Sequence, residues 1–455
     1  MGTPADCAHR PPWPAARRLQ LPSTAVLITM LLGVTLQWVI ARIYASLIVE
    51  LFGGARVAHA TGGLEIPISY ALTAMASAAC ALYCERRSGP SRVIVIIHLV
   101  AVIIPLQALV AAHFELARPG FAATVALAFL GALAFAALMP EVQAPQAGSG
   151  FRVTLAIVGL LLTIYVFGAL LARGGLARIN FDLSAVYEVR EGFLEDVAPL
   201  LGYLVPWQGY VLNPALMLIG LRRRSLLISV SGLALQLLLF GMTGFRAFLL
   251  IPLLLLGFYL IGRRRQLAGV ALAAVIAVVA VALALYLWLD EPLIPALLVD
   301  RVIVIPAEIH YWYYDFFGVH GQAPLQLSQS ILAAVSSAHY STPIAEVIGW
   351  KYLGSAASAN VGLFGDAFAN FGFAGCAIFA LLFALLLKAV DAAGRATDAR
   401  VAAALVAMPA FQLVNSGLLT TLLTHGLALT ILVLWSLAPA EAGSGSGAGI
   451  TEDAP

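Results

Sequence analysis

The sequence predicts an all-α, polytopic integral membrane protein of about twelve transmembrane helices with two long loops on one side. Two observations predict it. Hydrophobic residues make up 62% of the chain and charged residues only 11%, against roughly a quarter charged in soluble domains. The apolar residues also gather into runs of roughly 20, the length that crosses a hydrocarbon layer about 30 Å thick. A water-soluble fold is excluded. The net charge of +2 and the lack of a segment interleaving basic and aromatic residues give no expectation of nucleic acid as partner. Membrane lipid is the expected surroundings.

Residues 1–20, with four prolines and Arg10, Arg17 and Arg18, read as a cytoplasmic N-terminal tail before an uncleaved first span. The membrane domain covers 21–440, with apolar runs near 21–41, 66–84, 93–113, 121–140, 151–172, 199–221, 225–242, 246–262, 266–289, 360–388, 400–414 and 421–438. Positive residues are retained in the cytoplasm when loops are short. With the N-terminus inside, every dense basic cluster, from Arg86 and Arg87 to Arg222, Arg223 and Arg224 and to Arg263, Arg264 and Arg265, lies on that side. Arg42, Arg56, Arg118, Arg173, Arg178, Arg190, Arg246, Arg301 and Lys351 are left outside. The Gly/Ser/Ala-rich tail 441–455 is expected to be disordered and cytoplasmic.

Two outer segments, about 173–198 and 290–359, exceed ordinary connectors and are the places to look for function. The first contains INFDLSAVYEVREGFLED, with an amphipathic spacing. The second contains RVIVIPAEIHYWYYDFF, whose aromatics suit a water–lipid boundary.

Ionisable groups near the membrane mark function by default. Arg190, Arg246 and Arg301 share the outer side, and a guanidinium offers a rigid fork matched to phosphate oxygens. Convergent arginines there suggest a lipid diphosphate. Asp366 and Asn370 are four residues apart and so share a helix face, which Phe373 and Ala377 are expected to continue. Gly362, Gly365, Gly372 and Gly375 permit close approach of a neighbouring backbone. His310, His320, His339 and His425 fall outside or near the outer face; such histidines are commonly structural, yet imidazole is also the commonest general base. The four cysteines form no ligand set, and neither HExxH, CxxC nor a DxD-like acidic pair occurs in the outer loops, so no metal and no cofactor is expected. Without a GxxxxGK[ST] element, any activated donor must arrive from the membrane.

Over about 180–430 the chain resembles the Wzy-type oligosaccharide repeat-unit polymerases, which include the O-antigen polymerases. The motifs are DLSAVYEVREGF, GYLVPWQGYVLNPALMLIGL, LLFGMTGFRAFLLIP, RVIVIPAEIHYWYYDFF, ANVGLFGDAFANFGFAG and NSGLLTTLLTHGL, in that order and on that side. The resemblance implies a metal-independent glycosyltransferase of the bacterial inner membrane. It would move a growing glycan from its undecaprenyl-diphosphate carrier onto a lipid-linked repeat unit at the periplasmic face, building O-antigen, capsule or exopolysaccharide. It implies outer loops with essential arginines, matching those of Arg190 and Arg301. A base is then sought among Asp366, Asp315 and His310, and substrate contacts among Tyr187, Tyr311, Tyr314, Asn360 and Asn370. The flippase and a chain-length regulator of the same pathway are the expected protein partners. The alternatives are an O-antigen ligase, a lipid-linked-oligosaccharide flippase or other transporter, and a structural envelope protein.

Overall fold

The computed structural model describes residues 23–52, 63–182, 186–195, 198–336, 340–355 and 357–438. Both expected tails lie outside the described residues, as do His339 and the Tyr187 side chain. Every regular element among the described residues is a helix. Among the described residues nine helices are long and apolar enough to cross a membrane: α1 Thr24–Leu51, α2 Glu65–Arg86, α3 Ser91–Ala111, α4 Pro119–Leu138, α5 Ser149–Ala172, α7 Pro199–Arg223, α8 Leu226–Thr243, α10 Leu267–Leu289 and α13 Leu363–Gly394. Three shorter apolar helices join them, α9 Arg246–Ile261, α14 Ala399–Asn415 and α16 Leu427–Ser436. The rest are α6 Val186–Glu195, α11 over 293–319, α12 Ile344–Leu353 and α15 Leu418–Leu423. This is the pattern of a polytopic membrane protein.

Among lipid tails no hydrophobic force separates one apolar helix from another, so close packing and hydrogen bonds must hold the bundle. α3 is the axis, 94% buried, packed on α1, α2 and α14, while α5 at the rim is 17% buried. Caps and breakers set the ends. Ser225 Oγ accepts from the Ile228 N–H at the start of α8, and Gly244 ends that helix at φ 66°; only glycine takes this left-handed turn without cost. In α7, Pro214 has no N–H for the carbonyl four residues back, and a π turn at 208–212 absorbs the break.

The bundle has a basic end and a loop end. At the basic end Arg87 and Ser91 hold Asp391, with Ser91 Oγ donating over 2.7 Å. Lys388 donates to the Met139 carbonyl, Trp435 to that of Pro145 and Arg222 to that of Leu437. The buried Arg92 guanidinium donates to four carbonyls, among them Gly262 at 2.8 Å. At the loop end Trp207 donates to Leu423 O, Tyr313 to Ala359 O, and the Leu325 N–H to Ala369 O.

Two expectations need correction. The second long segment is not all loop: 293–319 is one continuous helix, with Glu308, His310 and Tyr311 at most 0% exposed. Its four charges keep its hydropathy low, but Asp300 and Glu308 turn inward, and the Tyr44 hydroxyl donates to Glu308 over 3.2 Å. Second, Phe373 and Ala377 do not continue the face of Asp366 and Asn370. α13 breaks at Phe371 and at Gly372, which stands at φ 61°, ψ −146°. Asn370 is therefore 3% exposed while Phe373 is 51% exposed.

Candidate functional site

The loop end brings together side chains from α6, α7, α9, α13 and the 416–426 connection. α6 carries Arg190, whose guanidinium lies 5.2 Å from the centre of the Phe245 ring, a cation–π contact that fixes the charge. Phe193 from the same helix is buried and meets Phe245 edge-on. Phe245 precedes Arg246, the first residue of α9, so this ring separates the two expected phosphate ligands by a single step of chain. The aromatic wall continues from Phe245 to Phe248, from Phe248 to Tyr210 at 5.3 Å, and from Tyr210 to His425 at 5.8 Å. Gly209 permits this: a β-carbon there would stand 2.2 Å from the Phe248 ring. Tyr210 is hydrogen-bonded to Gln412 and feels the charge of Arg190.

His425 closes the wall. Its Nδ1 is buried with no hydrogen-bond partner among the described residues, and burial pushes the imidazole down to about 4. It is neutral at physiological pH and adds no charge to the two arginines.

Asp366 stands at the opposite end of α15. Its carboxylate lies against Gly417, where a β-carbon would sit 2.5 Å from Oδ2, and Asn370 Nδ2 donates to Oδ1 over 3.1 Å. With Asn370, Gln329, Ser330 and Thr420 it lines a cleft of about 20 Å³, room for roughly one water. α15 has six residues and so spans about 9 Å. Trp207 is tied to its far end at Leu423, and His425 and the arginine wall follow. Asp366 thus lies at one end of this short helix, and the aromatic wall that leads through Tyr210, Phe248 and Phe245 to Arg190 begins at His425, just beyond the other.

Asn370 also holds the loop after α11: its Oδ1 accepts from the Leu327 N–H at 2.6 Å. Gln326 and Leu327 both have positive φ, 49° and 66°, costly for side-chain-bearing residues. The surrounding bonds are what keep them so.

The other expected site residues are placed elsewhere. Arg301 is exposed on a segment packed against α10 and the π turns at 44–48 and 99–103, and its principal contacts include neither α6 nor α9. Arg190 packs on Phe245, the residue before Arg246, whereas Arg301 lies on a segment with other neighbours. His310 is fully buried, its Nδ1 bonded to the Pro306 carbonyl at 2.6 Å, so no substrate reaches it as it stands. Tyr311 is buried and donates to Leu106 O at 2.8 Å. Tyr314 stacks on Phe121 at 4.7 Å and leans on Phe368. Asn360 is exposed and donates to Ser358 Oγ.

Asp315 anchors a second polar group. Its Oδ2 accepts from the Tyr352 hydroxyl at 2.6 Å and lies 3.1 Å from His320 Nε2. Burial, then this bond to Asp315, pushes the Tyr352 phenol above its ordinary range. Tyr352 stacks on Trp312, and Lys351 lies over the rings of Tyr352 and Phe316. His320, half exposed, was not distinguished from the other outer histidines by sequence. The signal was its spacing of five from Asp315, which neighbours a carboxylate only when the turn at 315–319 is a π turn. Tyr210 carried no signal beyond its place between Gly209 and Pro214.

Compared with protein-family models, with curated proteins and with solved structures, the chain matches none of them.

Proposed function

We propose that the chain polymerises undecaprenyl-diphosphate-linked oligosaccharide repeat units at the periplasmic face of the bacterial inner membrane. The observation that carries the reading is the aromatic wall on which Arg190 packs over Phe245, the residue before Arg246, and which runs through Phe248 and Tyr210 to His425, just beyond the helix whose other end meets Asp366. Twelve crossings, by α1 to α5, α7 to α10, α13, α14 and α16, would place the basic end in the cytoplasm by the positive-inside rule. The loop end with this group of residues then faces the periplasm.

In this reading an acceptor hydroxyl attacks the anomeric carbon of the donor glycan. Its proton passes to Asp366, and the bond to the carrier diphosphate breaks with its electron pair left on the phosphate. Charge grows on the diphosphate as the bond lengthens, so fixed guanidiniums stabilise the transition state more than the ground state. The buried position of His310 and the engagement of Asp315 with Tyr352 favour Asp366 as the base.

The test is genetic. Deleting the gene should leave surface glycan bearing one repeat unit, because acceptor is made and not extended. A ladder of ordinary length in the deletion strain overturns the proposal, and loss of even the single-unit product points to the ligase or flippase.

A further inference from the structure

The cleft at Asp366 is too small for the chemistry proposed for it. Its volume of about 20 Å³ holds roughly one water, whereas ligand sites measure roughly 300–1,000 Å³. An acceptor sugar reaches the carboxylate only if one wall withdraws. The cleft has three walls: Asp366 and Asn370 on α13, Leu419 and Thr420 on α15, and the chain over 325–330. The α13 wall is backed by the buried Ala367, Phe368 and Ala369. The α15 wall is pinned by the buried Leu418 and Thr421 and by the bond from Trp207 to Leu423 O. The third wall carries no helix and is exposed at Gln326 and Gln329.

We infer that residues 324–328 are a flap that lifts from Asp366 to admit the acceptor sugar, which rests on Asp366 being the base of the polymerase reaction. Both feet of the flap are tethered. On one side Ala323 O accepts from the Tyr340 hydroxyl. On the other, Gln329 Nε2 donates to Thr342 O at 3.1 Å, and its Oε1 accepts from the Ile344 N–H at 2.7 Å. Between the feet, among the described residues, two bonds latch the flap to α13. The Leu325 N–H donates to Ala369 O at 2.9 Å, and the Leu327 N–H to Asn370 Oδ1 at 2.6 Å.

The latch is opposed by what closure costs. Gln326 and Leu327 stand at φ 49° and 66°, a conformation costly for residues with a side chain. Ser328 Oγ is buried with no hydrogen-bond partner among the described residues, and a stranded hydroxyl is a further cost. Opening frees both backbone angles and brings that hydroxyl to water. It breaks two bonds whose donors and acceptors water can replace. Closed and open states are therefore close in free energy, as a substrate gate requires.

Thiol chemistry on the purified full chain in detergent tests this, with Cys7→Ser removing the thiol of the N-terminal tail; Cys80, Cys84 and Cys376 are buried. Thr420→Cys places a thiol under the closed flap, where a small charged reagent should modify it slowly. Adding Asn370→Ala removes the acceptor of the Leu327 latch and should speed modification about tenfold. Adding Leu419→Ala instead widens the cleft without touching a latch and should leave the rate near that of Thr420→Cys alone. Equal rates in the two added variants would overturn the flap, whatever the protein's activity. Glycan extension is the second readout. Leu327→Cys paired with Thr420→Cys, joined by a short linker that reductant cleaves, should lose extension and regain it on reduction. Extension by the linked protein at its reduced rate would overturn the flap and leave polymerisation standing. If the wild type extends no glycan, polymerisation fails, and the modification rates alone decide the flap.

Discussion

Gly417→Ala moves one carboxylate and little else. The backbone at Gly417, φ −59° and ψ 158°, is open to alanine, so the fold accepts the residue. Its methyl group would stand 2.5 Å from Asp366 Oδ2 and 3.0 Å from Oδ1, whereas carbon contacts settle near 3.5 Å. The carboxylate must swing by about 1 Å, and the 3.1 Å bond from Asn370 breaks. One lost hydrogen bond costs about 1–2 kcal/mol of stability. A misplacement of about 1 Å in a reacting group costs on the order of a hundredfold in rate. If Asp366 is the base, Gly417→Ala should slow glycan extension about a hundredfold, while the protein stays folded and abundant. The assay is the initial rate of chain extension in membranes supplied with lipid-linked repeat units, beside Asp366→Asn. A wild-type rate in Gly417→Ala would refute the role given to the position of this carboxylate, and a wild-type rate in both variants would remove Asp366 from the chemistry.

Alanine at Arg190 or at Arg246 should reduce extension by about a hundred- to thousandfold, whereas Arg301→Ala should leave it within a few fold; the reverse order, at equal membrane abundance, contradicts the pairing. Burial holds His425 near 4 against about 6.5 in an unfolded chain. The unfolded state binds the extra proton between those values, so the stability His425 contributes is complete above about 6.5 and is lost as pH falls toward 4. Thermal midpoints of His425→Gln should be flatter with pH over that window, and an unchanged slope would contradict the burial. Asn370→Ala removes the acceptor that holds Leu327 at positive φ and should expose 320–336 to proteases; unchanged cleavage would show that other bonds suffice. For topology, cysteine at Gln322 should react with an impermeant thiol reagent in intact cells carrying Cys7→Ser, and cysteine at Ser88 should not; the opposite pattern reverses the orientation.

The helices were legible because apolar runs about 20 residues long have one stable answer in a bilayer. Pairs close in sequence were legible too: Asp366 and Asn370 touch as their spacing of four requires. What was hidden depends on backbone departures with no periodic signature. The break at Gly372 ended a helix face that the pattern would continue, and the π turn at 315–319 set His320 beside Asp315. The helix 293–319 was read as loop because four charges lower its hydropathy, and inward placement of Asp300 and Glu308 is a tertiary matter. Arg301 was grouped with Arg190 and Arg246 by side alone, and a shared side does not fix position around a bundle.

Reconstituting the purified protein in lipid vesicles with a single defined undecaprenyl-diphosphate-linked repeat unit tests the central claim most directly. Mass spectrometry should show lipid-linked chains of increasing length, with one undecaprenyl diphosphate released for each unit added and neither nucleotide nor metal required. Repeat units that stay single, or that move between vesicle leaflets without being joined, would contradict the account.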